Sequence, residues 1–174
     1  FCLPDMPGFG GMQPLYKIGM KPSLDNLADY MAAFIKLYYG SKKKFLVVGY
    51  SFGFLVLVRM LQKYPDIQKQ VIDVVGVASF VKKDAFMFSP TRKALYTLLV
   101  RVAGTRVTSF IAREVFMRKW FIGSFYAGTR NAKNKFANVS KEDRKRVIDF
   151  EVNLWRCNDV RTRCHTVLEM FNVN

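Results

Sequence analysis

The chain has 174 residues, about half of them apolar, which suits one core with an insertion and excludes general disorder. Its three cysteines, Cys2, Cys157 and Cys164, form no C-x-x-C pair, and His165 is its single histidine, which argues against a disulfide framework and a zinc or His-rich metal site and favours a reducing compartment. The net charge of +15 is unevenly spread: residues 1–80 hold nine Lys/Arg against five Asp/Glu, residues 81–146 sixteen against four, and residues 147–174 three against four.

In chain order, "FCLPD" reads as the end of a short strand, broken by the proline and glycines of "MPGFGGM". Ser23 is a good N-cap for a helix in which Leu24, Leu27, Ala28, Met31, Phe34, Ile35 and Tyr38 recur at helical spacing up to Gly40. "KFLVVG" reads as a buried strand, a second helix runs from about residue 52 to 64 before Pro65, and "VIDVVGVASF" reads as another buried strand. Strands alternating with helices predict an α/β fold with a parallel sheet covered on both faces over residues 1–80. From about Lys83 the pattern turns helical throughout: "TRKALYTLLVRVAG", "RVTSFIAREVFMRKWFIGSFYAG", "SKEDRKRVIDFEVNLWRCND" and "VRTRCHTVLEMF". Ser140 and Asp143 are spaced like a capping box. The longest uncharged run, Phe45 to Val58, is shorter than the roughly 18 residues of a membrane span.

Gly49-Tyr50-Ser51-Phe52-Gly53 fits G-x-S-x-G, a weak pattern alone. Here it follows an apolar strand and opens a helix, the context in which a sharp turn presents the serine at the strand's end. That turn is expected to need Gly49 and Gly53 for lack of room for side chains. Ser51 Oγ would then face a cleft at the carboxyl ends of the strands, and the backbone N–H of Phe52 would donate to an oxyanion. Gly8, Gly10 and Gly11 do not complete a dinucleotide fingerprint, since Gln13 occupies the third glycine's place, so their loop is read as a fold marker.

"PDMPGFGGM", "SLDNLADYMAAFI", "FLVVGYSFGFLVLVRMLQKYP" and "VVGVASF", in that order, make the chain resemble part of an α/β-hydrolase with a helical cap. The resemblance covers roughly residues 1–80 and extends more loosely beyond. It implies a partial hydrolase core in 1–80, a cap in 81–174, Ser51 as nucleophile and Phe52 as one oxyanion donor. It also implies ester, thioester, amide or carbon–carbon bond hydrolysis through an acyl-enzyme, with no metal or organic cofactor. An apolar acyl or ester-type small molecule is the expected substrate.

A triad needs a histidine and a carboxylate as well. Asp149, Asp159 and His165 follow Ser51 in the order the fold uses, but His165 lies in a helical pattern away from any strand end. The chain is therefore read as an internal fragment without its acid and histidine, inactive and poorly soluble alone, with core strands missing on both sides. The rival reading is a non-catalytic binding or membrane-surface protein with the same fold.

The basic segment 83–146 interleaves cations with Phe88, Tyr96, Phe110, Phe116, Trp120 and Phe121. It reads first as a cap whose apolar faces close over the cleft, second as an attachment to an anionic membrane surface, and third as a nucleic-acid contact, disfavoured because no recognised module is present. The expected location is the cytoplasm, with membrane association as its variant. Asn138-Val139-Ser140 matches a glycosylation sequon and is read as incidental.

Overall fold

The computed structural model describes residues 2–80, 88–128 and 140–173. Most of the sequon, Asn138 and Val139, lies outside them.

A 3-10 turn, Leu15–Ile18, precedes α1, Leu24–Tyr39. Ser23 Oγ accepts from the Asn26 N–H at 3.3 Å, satisfying one of the orphan donors of the first turn, and Gly40 closes the helix at φ 66°. Strand β1, Phe45–Tyr50, leads through Ser51 into α2, Phe52–Lys63, and Pro65 opens the short α3, Pro65–Gln68, as expected of a residue that lacks an N–H. Strand β2, Val71–Val77, pairs in parallel with β1 from Phe45↔Val71 to Tyr50↔Val77, with one register shift between Phe45 and Leu46.

The core forms where α1 meets α2 and α3. Leu27, Ala28 and Ala32 of α1, Val56 and Met60 of α2 and Ile67 of α3 are all sealed from solvent. The two alanines let the helices approach closely. Ion pairs bridge the solvent side of this seam: Arg59 to Asp25 at 2.7 Å, Lys63 to Asp29 at 2.5 Å and Lys36 to Asp66 at 3.1 Å. Such exposed pairs are screened by solvent and contribute little, so the seam is held by burial.

The sheet departs from expectation. Ile72, Val74, Val75 and Val77 of β2 and Leu46, Val48 and Tyr50 of β1 are exposed rather than buried. Along β1 only Phe45, Val47 and Gly49 turn inward, and β2 is exposed on both faces from Ile72 to Val77, so among the described residues the helices cover one face of β1 alone. The described part of "FCLPD" forms no strand either: Cys2–Met6 are irregular, across a cavity from β1, and among the described residues no ladder hydrogen bonds reach them.

Beyond residue 87 the described residues are helical: α4, Pro90–Ala103; α5, Arg106–Ile111; a π-helical turn, Ala112–Phe116; α6, Lys119–Gly128; α7, Lys141–Arg156; and α8, Val160–Asn172. The π turn divides what reads in sequence as one long helix. Ser140 and Asp143 form the expected cap, the Asp143 N–H donating to Ser140 Oγ at 3.0 Å and that hydroxyl donating to the Asp143 carboxylate at 2.7 Å. Helix α4 packs on α8, and α6 on α7.

Helix α8 also docks onto the glycine loop near the start of the chain. The Asp159 N–H donates to Gly8 O at 2.7 Å, the Gly11 N–H to Cys157 O at 2.8 Å and the Gly10 N–H to Asn158 Oδ1 at 3.0 Å. Gly8 has φ 85°, and a Cβ there would lie 2.5 Å from Thr162 Oγ1, so this loop takes its shape from the helix it receives.

Candidate active site

Ser51 is the joint between β1 and α2. Its backbone lies at φ 50°, ψ −121°, a conformation that ordinary residues avoid, at a cost of about 1–3 kcal/mol. Two backbone bonds pin it there: the Ser51 N–H donates to Val77 O at 3.0 Å, and Ser51 O accepts from the Phe54 N–H at 3.1 Å. The first ties the turn to the end of β2, where Ala78 is itself at φ 47°. The neighbouring ends of the paired strands thus both carry strained backbone.

The turn's sharpness shows in Gly49. A Cβ at Gly49 would lie 2.5 Å from the Cα of Phe54, a backbone contact no side-chain adjustment relieves. Gly53 differs from the sequence expectation: a Cβ there meets only Met6 Cε, at 3.8 Å, an ordinary contact. Residue 53 lies in the first turn of α2 and points clear of the strand, while residue 49 faces back into the helix.

Phe52 opens α2, and among the described residues no hydrogen bond engages its backbone N–H. It is one of the donors a helix start leaves unsatisfied, next to the serine and at the positive end of the helix dipole. Ser51 is half-buried, and its hydroxyl makes no hydrogen bond among the described residues.

The other titratable residues of the motif reading are engaged elsewhere. His165 Nε2 lies 3.7 Å from the Glu169 carboxylate one turn along α8, and its ring packs edge-on to Tyr16 with centroids 6.5 Å apart. Glu169 in turn accepts from the Leu24 N–H at 2.8 Å, so this group fastens α8 to the start of α1. Arg161 stacks 3.9 Å over the Tyr16 ring, and burial pushes the Tyr16 phenol above its ordinary range. Asp149 pairs with Lys119 at 2.7 Å. Asp159 caps α8, accepting from the Thr162 N–H and hydroxyl at 2.7 Å each. The structure brings none of them into contact with Ser51.

A cavity of about 280 Å³ lies beside the serine without including it. All six residues of β1 line it, together with Cys2, Leu3, Pro4, Met31, Phe34 and Met60. A hollow against one face of a strand meets alternate residues only, so this one runs along the unpaired edge of β1. Its lining is mainly apolar and contains no histidine or carboxylate. Among the described residues no cluster of His, Cys, Asp and Glu is arranged to hold a metal ion. No helix among them is long and apolar enough to cross a membrane.

Comparison with protein-family models, curated proteins and solved structures finds no match to this chain.

Proposed function

We propose that these residues carry the nucleophile of a serine hydrolase with an α/β-hydrolase fold, which cleaves an ester, thioester, amide or carbon–carbon bond through an acyl-enzyme on Ser51. The observation that carries the reading is the Ser51 backbone at φ 50°, ψ −121° between a parallel strand and a helix. A turn that served only to join the two could hold glycine there without strain, so a serine kept at that cost is accounted for by its hydroxyl.

In the reaction Ser51 Oγ attacks the acyl carbon while its proton passes to a general base, and the negative charge on the former carbonyl oxygen is met by the Phe52 N–H. Collapse expels the leaving group and leaves the acyl-Ser51 ester, which water then hydrolyses. We assign base and acid to polypeptide beyond these 174 residues, because His165, Asp149 and Asp159 are engaged in structural contacts. The helical region from residue 88 is the cap of this reading, and an apolar acyl group is the substrate class. That the Ser51 hydroxyl has no hydrogen-bond partner among the described residues favours the one competing reading, a binding protein that keeps the fold without a triad.

The test is hydrolysis of a series of p-nitrophenyl esters of increasing acyl length by the full-length protein. Turnover with an initial burst, lowered about a thousandfold or more by Ser51→Ala, supports the hydrolase. Turnover unchanged in Ser51→Ala refutes Ser51 as the nucleophile, and no turnover with any ester or with matching thioester and anilide probes favours the binding protein.

A further inference from the structure

Helix α4 is built inside out. Thr97, Val100 and Gly104 lie on the side turned to α8, and a Cβ at Gly104 would stand 3.0 Å from Cys164 Cβ. The larger apolar residues point the other way. Leu95, Leu98, Leu99 and Val102 recur at i, i+3, i+4 and i+7, one stripe of the helix, and each is 50–59 % exposed. Helix α5 repeats the arrangement, with Val107, Phe110 and Ile111 at i, i+3 and i+4, all exposed. Trp120, at the start of α6, is 63 % exposed.

The charges around this surface are mostly positive. Residues 88–128 contain seven Lys/Arg and one carboxylate, Glu114, which is already paired with Arg118 at 2.8 Å and faces Arg156 at 3.8 Å. Arg92 and Arg101 flank the α4 stripe on its two sides, and Arg106 and Arg113 bracket α5. None of these four is paired with a carboxylate among the described residues.

We propose that the α4–α5 surface, with Trp120, lies on an anionic lipid bilayer, its leucines in the acyl–headgroup boundary and its arginines on the lipid phosphates. Charge selects this occupant. A second copy would bring the same excess of cations against the first, and residues 1–80 are themselves net positive, so neither complements the surface. A nucleic acid answers the charge but offers nothing for two stripes of aliphatic side chains to enter. A bilayer with acidic headgroups answers both, and an exposed tryptophan such as Trp120 is typical of such contacts. The helices lie in the interface and do not cross it. The proposal is independent of any chemistry at Ser51.

The test is flotation of the full-length protein with vesicles of phosphatidylcholine alone and with 30 mol% phosphatidylserine. The expected result is partitioning about tenfold higher with phosphatidylserine at moderate salt, falling steeply at high salt. Leu98→Ser with Leu99→Ser should lower binding to the acidic vesicles about tenfold, and Arg92→Gln with Arg101→Gln should largely erase the preference for acidic lipid. These side chains already face solvent, so an unchanged thermal midpoint shows that the variants fold. Equal binding to both vesicles, or binding untouched by the serine variant, overturns the proposal. So does self-association that the serine variant abolishes, or RNA binding that displaces the vesicles.

Discussion

Residues 2–80 and 88–173 are both rich in apolar side chains, yet they use them in opposite ways. In the first region α1, α2 and α3 turn their aliphatic residues toward one another, and Leu27, Ala28, Val56, Met60 and Ile67 are wholly removed from water. In the second, α4 has no buried residue, and buried apolar side chains are confined among the described residues to Met117, Ile122, Val152 and Phe171. The difference teaches that apolar periodicity reports amphipathicity without saying what covers the apolar side. In α1 it marks a core, and in α4 it marks a surface awaiting a partner. The sheet lies between these cases: the inner face of β1 joins the core, while β2 is exposed on both faces.

The sharpest way to break this contrast is a pair of truncations. Met60→Ala should cost about 2–5 kcal/mol, since it removes a fully buried side chain and enlarges the cavity which that side chain lines. Leu98→Ala, at a residue 59 % exposed, should stay within about 0.5 kcal/mol. Chemical denaturation of both variants checks this, and similar losses would mean that α4 is as much a part of the core as α2.

A second contrast separates the glycines flanking Ser51. Gly49→Ala drives a methyl against the Phe54 backbone and should cost about 1–3 kcal/mol or more, whereas Gly53→Ala, in a helix with room, should be neutral or stabilising by up to about 1 kcal/mol. Urea midpoints of the two variants measure the difference.

The strain at Ser51 gives a third. Ser51→Gly should be more stable than Ser51→Ala by about 1 kcal/mol, because glycine relaxes at φ 50° and alanine does not. Equal stability would show that the turn is unstrained.

The smallest effect is on pH. The hydrogen bond from Arg59 holds the Asp25 carboxyl below its ordinary value of 3.8, and that from Lys36 does the same for Asp66. For a carboxyl depressed in the folded state, the contribution is present above the unfolded value and disappears as pH falls through the folded one. Stability should therefore decline below about pH 4, and less so in Asp25→Asn with Asp66→Asn, as urea midpoints at pH 7 and pH 3 would record. An identical decline in the double variant would place the acid sensitivity elsewhere.

Local signals in the sequence translate well. Ser23 starts α1, Ser140 and Asp143 start α7, and the strand–serine–helix succession at Ser51 reads directly from residue types and spacing. What failed was non-local. "FCLPD" has strand composition, but a strand exists only where another pairs with it. The β2 valines read as buried because β-branched runs usually are, while burial depends on a covering layer that nothing in the run specifies. The docking of α8 onto Gly8, Gly10 and Gly11 joins residues nearly 150 positions apart and leaves no periodic trace, so the loop reads in sequence as no more than a fold marker. At the site, Ser51, Phe52 and Gly49 were legible because one turn unites them. The room around Gly53 was not, since it depends on Met6.

The proposed role of Ser51 is tested most directly by treating the full-length folded protein with a fluorophosphonate and locating the adduct by peptide mass. An adduct on Ser51, absent from Ser51→Ala and from unfolded protein, is the result expected of a serine held strained as a nucleophile. No adduct at Ser51 in the folded protein would contradict it and leave the strained turn without a catalytic purpose.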